Sequence, residues 1–318
     1  MKFERLMHFS LLAVPVLVLP AVSHAATINV ACPGQLLQTA VTAAAPGDTI
    51  NVTGTCTENV LIRNEKLRFT IDGGNTATIN GGASGDALEI KGKGIAVQNI
   101  TITGGGVGIE IDRAASAQII HSVIHNASSD GILVHENAFA AIYNSTIQNN
   151  GGYGIDVNEL ASARIGFNQT TDSAASPNII SNNTSGGILV TRSAVARIVG
   201  NTIQNNGGDG IAASRGSHAD IASNVINGNG TSFVVGSGST CCNGVKVTEN
   251  SSINLGEDSA SNFLGQPNTT TVKNANYGLY CSLGGAIYGH WGTVGTQLDG
   301  NTAQSSISGT CPNDILTP

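Results

Sequence analysis

One phrase, a glycine followed by alternating apolar residues, returns along this chain at a fixed interval, and that return limits the possible folds more than any other feature. It begins at Gly108, Gly131, Gly154, Gly187, Gly210, Gly244 and Gly278. The intervals are 23, 23, 33, 23, 34 and 34 residues, which is 23 with an occasional insertion of ten or eleven. Two more phrases recur inside each unit. Ala117-Gln-Ile returns as Ala140-Ala-Ile, Ala163-Arg-Ile, Ala196-Arg-Ile and Ala219-Asp-Ile, and Ser145-Thr-Ile returns as Asn178-Ile-Ile, Asn201-Thr-Ile and Asn224-Val-Ile.

Each phrase alternates apolar and polar residues over three to five positions, which is the period of a strand. Gly and Asn fall between phrases, where the chain must turn and a positive φ is cheap. Three short strands in 23 residues predict an all-β parallel β-helix of about ten coils, stacked ~4.8 Å apart with Ile and Val along the axis. A leucine-rich repeat has a similar period, but its Leu-x-x-Leu-x-Leu pattern is absent. Two Asn registers, Asn149/Asn182/Asn205 and Asn178/Asn201/Asn224, are expected to stack as amide ladders.

Composition narrows the function. Asn occurs 32 times and Gly 41 times in 318 residues, and only 11% of residues are charged. That excludes a charged disordered chain and a Leu/Glu/Lys-rich helical bundle. Fourteen Lys and Arg against 21 Asp and Glu leave no basic stripe, so no nucleic-acid partner is expected.

Lys2 and Arg5 precede an apolar run from Phe9 to Val22, and Ser23-His24-Ala25 follows. This predicts a signal peptide over residues 1–25 and an exported protein, periplasmic or extracellular. The rival is a membrane anchor, but the run is short for ~30 Å of hydrocarbon and holds Pro15 and Pro20. No later segment is apolar enough to be membrane-embedded. Residues 26–318 are expected to form one domain, with an N-terminal cap at about 27–47 and insertions near 166–176, 229–242 and 256–267.

Six cysteines in an oxidising compartment predict disulfides. Cys32 and Cys56 lie close together in the sequence and are expected to form one bridge. Cys241, Cys242, Cys281 and Cys311 allow three pairings for two more, of which the vicinal one is the least expected on geometry. Zinc is the alternative for these four, but no paired Cys-x-x-Cys spacing supports it.

Residues Gln35 to Ala45 suit a short helix, followed by Pro46-Gly-Asp48-Thr-Ile and later by Leu67-Arg-Phe-Thr-Ile-Asp-Gly-Gly. With these phrases the chain resembles the pectin-lyase-like superfamily over about residues 27 to 300. The resemblance implies a right-handed parallel β-helix with a short N-terminal capping helix. It also implies a polysaccharide ligand, bound or processed by lyase or hydrolase chemistry on an outer face. The superfamily's catalytic phrases are missing. No Arg here has Pro two residues later, no Asp-Asp occurs, Gly289-His290-Trp291 lacks the second glycine of a Gly-His-Gly phrase, and Asp-Pro-His-Asp is absent. The alternative is therefore a non-catalytic structural or surface-interaction module of the cell envelope. No cofactor or metal is predicted; calcium is compatible with the resemblance and unsupported by any spacing. With no Met after the leader and scattered His, copper delivery is not supported either.

Columns are where a site would lie, because residues at one register stack. Five places after each repeat glycine stand Arg113, Glu136, Glu159, Arg192, Arg215 and Glu249. Glu136 and Glu159 are the candidate catalytic carboxylates, expected ~5 Å apart as in retaining glycosidases. His135, beside Asp112, is the candidate base. The same column also fits a surface ion ladder, with Arg113 and Arg192 offsetting the Glu pair. On the next strand the outward column reads Gln118, Ala141, Arg164, Arg197, Asp220, Asn254. Arg164, Arg197 and Asp220 are the candidate substrate-binding residues, the arginines for a uronate carboxylate or a sulfate. Insertions leave just after this strand and are expected to wall one side of a groove.

Overall fold

The computed structural model describes residues 25–167, 174–231, 241–256, 267–290, 307–309 and 313–316. The chain winds through three strand positions per coil. The first position forms a ten-stranded parallel sheet from Val60–Ile62 to Ile307–Gly309, here called the long sheet. The second position runs through Ser116–Ile120, Phe139–Tyr143, Ser162–Ile165, Val195–Val199, His218–Ala222, Ser252–Leu255 and Ala286–His290, all paired in parallel. The third runs through Val123–His125, Thr146–Gln148, Ile179–Ser181, Thr202–Gln204 and Val225–Asn227. In the early coils the twelve-residue strands Thr70–Gly81 and Lys93–Gly104 serve both the second and third positions. Ten rungs of the long sheet match the expected coil number.

Register explains the core. Ile109, Ile132, Ile155, Ile188 and Ile211 stack one above another, all fully buried. Each such side chain contributes about 1.5–3 kcal/mol on burial. The capping helix, expected at Gln35–Ala45, spans Leu37–Ala43 and buries Leu37, Ala40 and Val41 over the first coil. Leu36 at its N-cap offers no side-chain acceptor. Glu58 replaces it from the next coil, accepting from Leu37 N at 2.7 Å and Gln38 N at 3.1 Å, and its charge suits the helix N-terminus.

The repeat glycines are there for closeness rather than for turning. Gly154 does not have a positive φ. A Cβ there would lie 2.6 Å from Ile180 Cγ2, 2.7 Å from Asn183 Nδ2 and 2.9 Å from Gly187 O. Backbone of the next coil fills the space a side chain would need. Positive φ falls instead on corner residues, among them Arg113, Glu136, Glu159, Arg192, Arg215 and Glu249, each between 51° and 55°.

One Asn register needs correction. Asn178, Asn201, Asn224 and Asn268 form the expected buried ladder, with Nδ2 to Oδ1 distances of 2.9, 3.0 and 2.7 Å. The second ladder is displaced by one residue, through Asn150, Asn183, Asn206, Asn229 and Asn274, at 2.9 to 3.0 Å. Asn149, Asn182 and Asn205 are exposed turn residues at positive φ. The inner residue of each Asn pair faces the core and the outer one makes the bend.

Cys32 and Cys56 form the expected bridge. The C-terminal expectation is corrected: Cys241 and Cys242 are joined to each other. Cys242 takes a φ of 77°, a bend that lets adjacent residues meet. Cys281 is also disulfide-bonded, and none of the described cysteines is free. Cys311 lies outside the described residues, as do positions 1–24 of the predicted leader, positions 168–173, 232–240 and 257–266 of the predicted insertions, and Trp291. No described helix is long and apolar enough to cross a membrane.

Candidate functional site

The sequence-predicted residues divide between two places. The corner column holds Glu136 and Glu159; His135 stands just before it, at the end of the long sheet. Glu136, Glu159 and His135 each bring one atom within 4.8 Å of the others, so the expected carboxylate spacing is present. Both carboxylates are, however, engaged. Arg113 Nε lies 3.9 Å from Glu136 Oε2, Arg192 Nη1 lies 3.0 Å from Glu159 Oε1, and Arg215 Nε lies 3.3 Å from Glu249 Oε2. The column is an ion ladder at a solvent-facing corner, where mixed signs relieve the Glu136–Glu159 contact.

His135 points back onto the long sheet. Its Nε2 lies 2.8 Å from Glu110 Oε1, and its Nδ1 lies 3.7 Å from Glu159 Oε2. The Glu110 hydrogen bond raises the His135 pKa above its ordinary value and lowers that of Glu110. A raised pKa and a carboxylate partner favour holding or giving a proton over the base role expected of it. Its hydrogen-bond partner is Glu110 rather than Asp112.

Around His135 the outer face of the long sheet is acidic and half-buried. Asp112 and Asn158 flank it one coil to either side, and Glu110 and Asp156 occupy the neighbouring column. Burial raises the pKa of Asp112, Asp130 and Asp209 and pushes Asp156 up to about 7. Asp112 Oδ1, Asp156 Oδ1 and Asn158 Oδ1 are sealed from solvent and accept no hydrogen bond. Three acceptors without donors in adjacent coils make this face one that calls for a donor or a cation. Two groups there have metal-ligating composition: Glu110 with Asp112 and His135, and His135 with Glu136 and Glu159.

Arg164, Arg197 and Asp220 do come together, on the outer face of the second strand position, here called the second sheet. With Phe139, Ser162 and Val195 they line an open groove of about 380 Å³. Strand pairing fixes the order, since Arg164 stands opposite Arg197 and Arg197 opposite Asp220. The Arg164 guanidinium sits 5.9 Å over the Phe139 ring, a cation–π contact that props it at the groove edge. Arg197 Nη2 lies 3.6 Å from Asp220 Oδ2. Asp220 Oδ1 also accepts from Asn254 Nδ2 at 3.0 Å and meets His218 Nε2 at 3.1 Å, and the His218 bond leads in holding its pKa low.

Sequence reasoning counts Tyr288 among the aromatics that could stack on a sugar without placing it in this column, and it passes over the acids beside His135. Tyr288 pairs with Asn254 in the same column and is 39% exposed, an aromatic ring at the far end of the stripe. The 34-residue step from 254 to 288, equal to that from Gly244 to Gly278, was the available signal. Glu110 and Asp156 on the long sheet, and Asp130 and Asp209 in the turns that lead into it, carried no phrase that marked them. The groove walls expected from the insertions fall largely outside the described residues.

The family description "Right handed beta helix region" matches residues 44–176. Among solved structures the chain is similar to pectate lyase Pel9A, with a TM-score of 0.56 at 12% identity, over 94% of this chain and 80% of that one. An alginate lyase from Paenibacillus sp. str. FPU-7 gives 0.47 at 18% identity, over 91% and 95%. No curated protein matches the sequence. The chain is thus a right-handed parallel β-helix, the fold it shares with pectate lyase Pel9A.

Proposed function

Taking that fold as the premise, we propose that this is an exported protein that binds an anionic polysaccharide in the groove of the second sheet. The observation that carries the reading is the groove itself. Arg164 and Arg197 stand one coil apart in an open channel of about 380 Å³ with Phe139, Val195 and Ser162 beside them. Two guanidinium groups at strand spacing suit successive carboxylates or sulfates, which they hold by forked hydrogen bonds. The stripe continues through Asp220 and Asn254 to Tyr288, offering acceptors for hydroxyls and an aromatic face for a sugar ring. Export is supported by the leader pattern and by the disulfides.

A second reading, a non-catalytic envelope module, is favoured by the ion pairs that engage Glu136 and Glu159. The two are separated by titrating the protein with uronate, sulfated and neutral oligosaccharides. Melting temperature and heat of binding are read out, with ultraviolet absorbance and reducing ends followed for turnover. The proposal expects binding of an acidic glycan that weakens with salt and is lost in Arg164→Ala and Arg197→Ala. Absence of any glycan response leaves the envelope-module reading. New unsaturated or reducing ends would add lyase or hydrolase chemistry to the binding role.

A further inference from the structure

We propose that Glu110, Asp112 and His135 bind a divalent first-row transition-metal ion on the outer face of the long sheet. This is independent of the glycan groove, which lies on another sheet. The three residues come from two adjacent coils, and each brings a ligand atom within 4.8 Å of the other two. Their side chains are only 18%, 6% and 17% exposed, so the donors are held by their surroundings rather than free in solvent.

The independent observation is Asp112 Oδ1. That atom is buried and has no hydrogen-bond partner. The other oxygen, Oδ2, faces Lys91 Nζ at 3.9 Å and Arg113 Nε at 3.4 Å. Lys91 also pairs with Glu89, so it is shared between carboxylates. A buried carboxylate oxygen left without a donor is costly, and an ion beside it removes that cost.

The donor set selects the class of ion. One imidazole nitrogen with two carboxylate oxygens suits Zn²⁺ and its neighbours in the first row, whereas Ca²⁺ takes six to eight oxygens. Three protein ligands leave a further position for water or an added ligand. The His135–Glu110 hydrogen bond now holds a proton where the ion would sit, so binding releases that proton. The neighbouring group of His135, Glu136 and Glu159 is the weaker candidate, because Arg113 and Arg192 already engage its two exposed carboxylates.

The test is calorimetric titration of the tag-free protein with Zn²⁺ after removal of chelators. No described cysteine is free to compete. One ion per chain is expected, with proton release on binding. Asp112→Asn and His135→Gln should each weaken the affinity at least about tenfold, and Glu249→Gln, paired with Arg215 away from the site, should leave it unchanged. A Zn²⁺ titration followed by histidine side-chain NMR of the wild type keeps the test independent of variant folding. It should move the His135 ring ahead of those of His121, His125 and His218. No binding, binding indifferent to Asp112→Asn, or a response centred on another histidine would each overturn the proposal.

Discussion

Arg192 reaches back one coil to Glu159, with Nη1 3.0 Å from Oε1, and both side chains are about half exposed at a corner of the solenoid. Exposed pairs of this kind contribute about 0–1 kcal/mol. Glu159→Gln should therefore lower stability by under about 1 kcal/mol, read from urea melts at low and high salt. A loss several times larger would mean the corner carries more than a surface ladder.

The buried amides behave differently. Asn206 Oδ1 accepts from Asn183 N and Nδ2, while its own Nδ2 donates to Ile180 O and Asn229 Oδ1. Asn206→Ala leaves several buried groups unpaired at about 1–3 kcal/mol each, so a loss of at least about 3 kcal/mol is expected. Asn205→Ala, one residue away at an exposed bend with positive φ, should cost only about 1 kcal/mol, from left-handed strain alone. Equal losses at the two positions would contradict the register assigned to the ladder.

Asp156 gives a pH dependence with a definite sign. Its pKa is raised from 3.8 to about 7, chiefly by burial and next by Asp130. A carboxyl raised in this way stabilises the fold while protonated. Its contribution is complete below 3.8 and is lost as the pH climbs to about 7. Asp156→Asn should melt a few degrees above the wild type at about pH 8, and the gap should close by about pH 4. A gap that widens toward acid would refute the buried-carboxyl account.

In the groove, Asp220 offsets the charge of Arg197 at 3.6 Å. Asp220→Asn should tighten binding of an acidic oligosaccharide a few-fold and steepen its salt dependence. Weaker binding in that variant would mean that the hydroxyl contacts of Asp220 outweigh its repulsion of an acidic ligand.

Gly154→Ala tests why the repeat begins with glycine. Its Cβ would crowd Ile180, Asn183 and the Gly187 carbonyl at 2.6 to 2.9 Å. A loss of about 1–3 kcal/mol is expected in thermal or urea melts. A neutral effect would show that adjacent coils can shift apart.

The winding of the chain was legible because each coil repeats the same demand. An isoleucine at one register meets an isoleucine at the next, as Ile132 meets Ile155, so the periodicity of the sequence is the periodicity of the stack. Parity at the corners was not legible. Asn149 and Asn150 are adjacent and alike, and only the direction of the bend decides which one turns inward. Arg164 and Arg197 were found as a column because alternation assigns outward faces on a strand. The half-buried acids escaped notice for the same reason: an outward position reads as solvent-facing, whereas Glu110 and Asp156 sit among neighbours that exclude water. The Cys241–Cys242 bridge lay beyond periodicity altogether, since it depends on one local bend.

Along both Asn ladders every side-chain amide hands its hydrogen toward the C-terminal end, from Asn178 through Asn268 and from Asn150 through Asn274. Each ladder opens by accepting a main-chain N–H, from Ser145 and Ala127, and the last amides donate to Ile221 and Ile226 carbonyls. The interior rungs are interchangeable, because each receives from behind what it gives ahead. A 23-residue unit carrying both asparagines can therefore be duplicated or excised without stranding an amide of either ladder. The solenoid's length is quantised, and the molecule can grow or shrink by whole coils while its two ends stay the same.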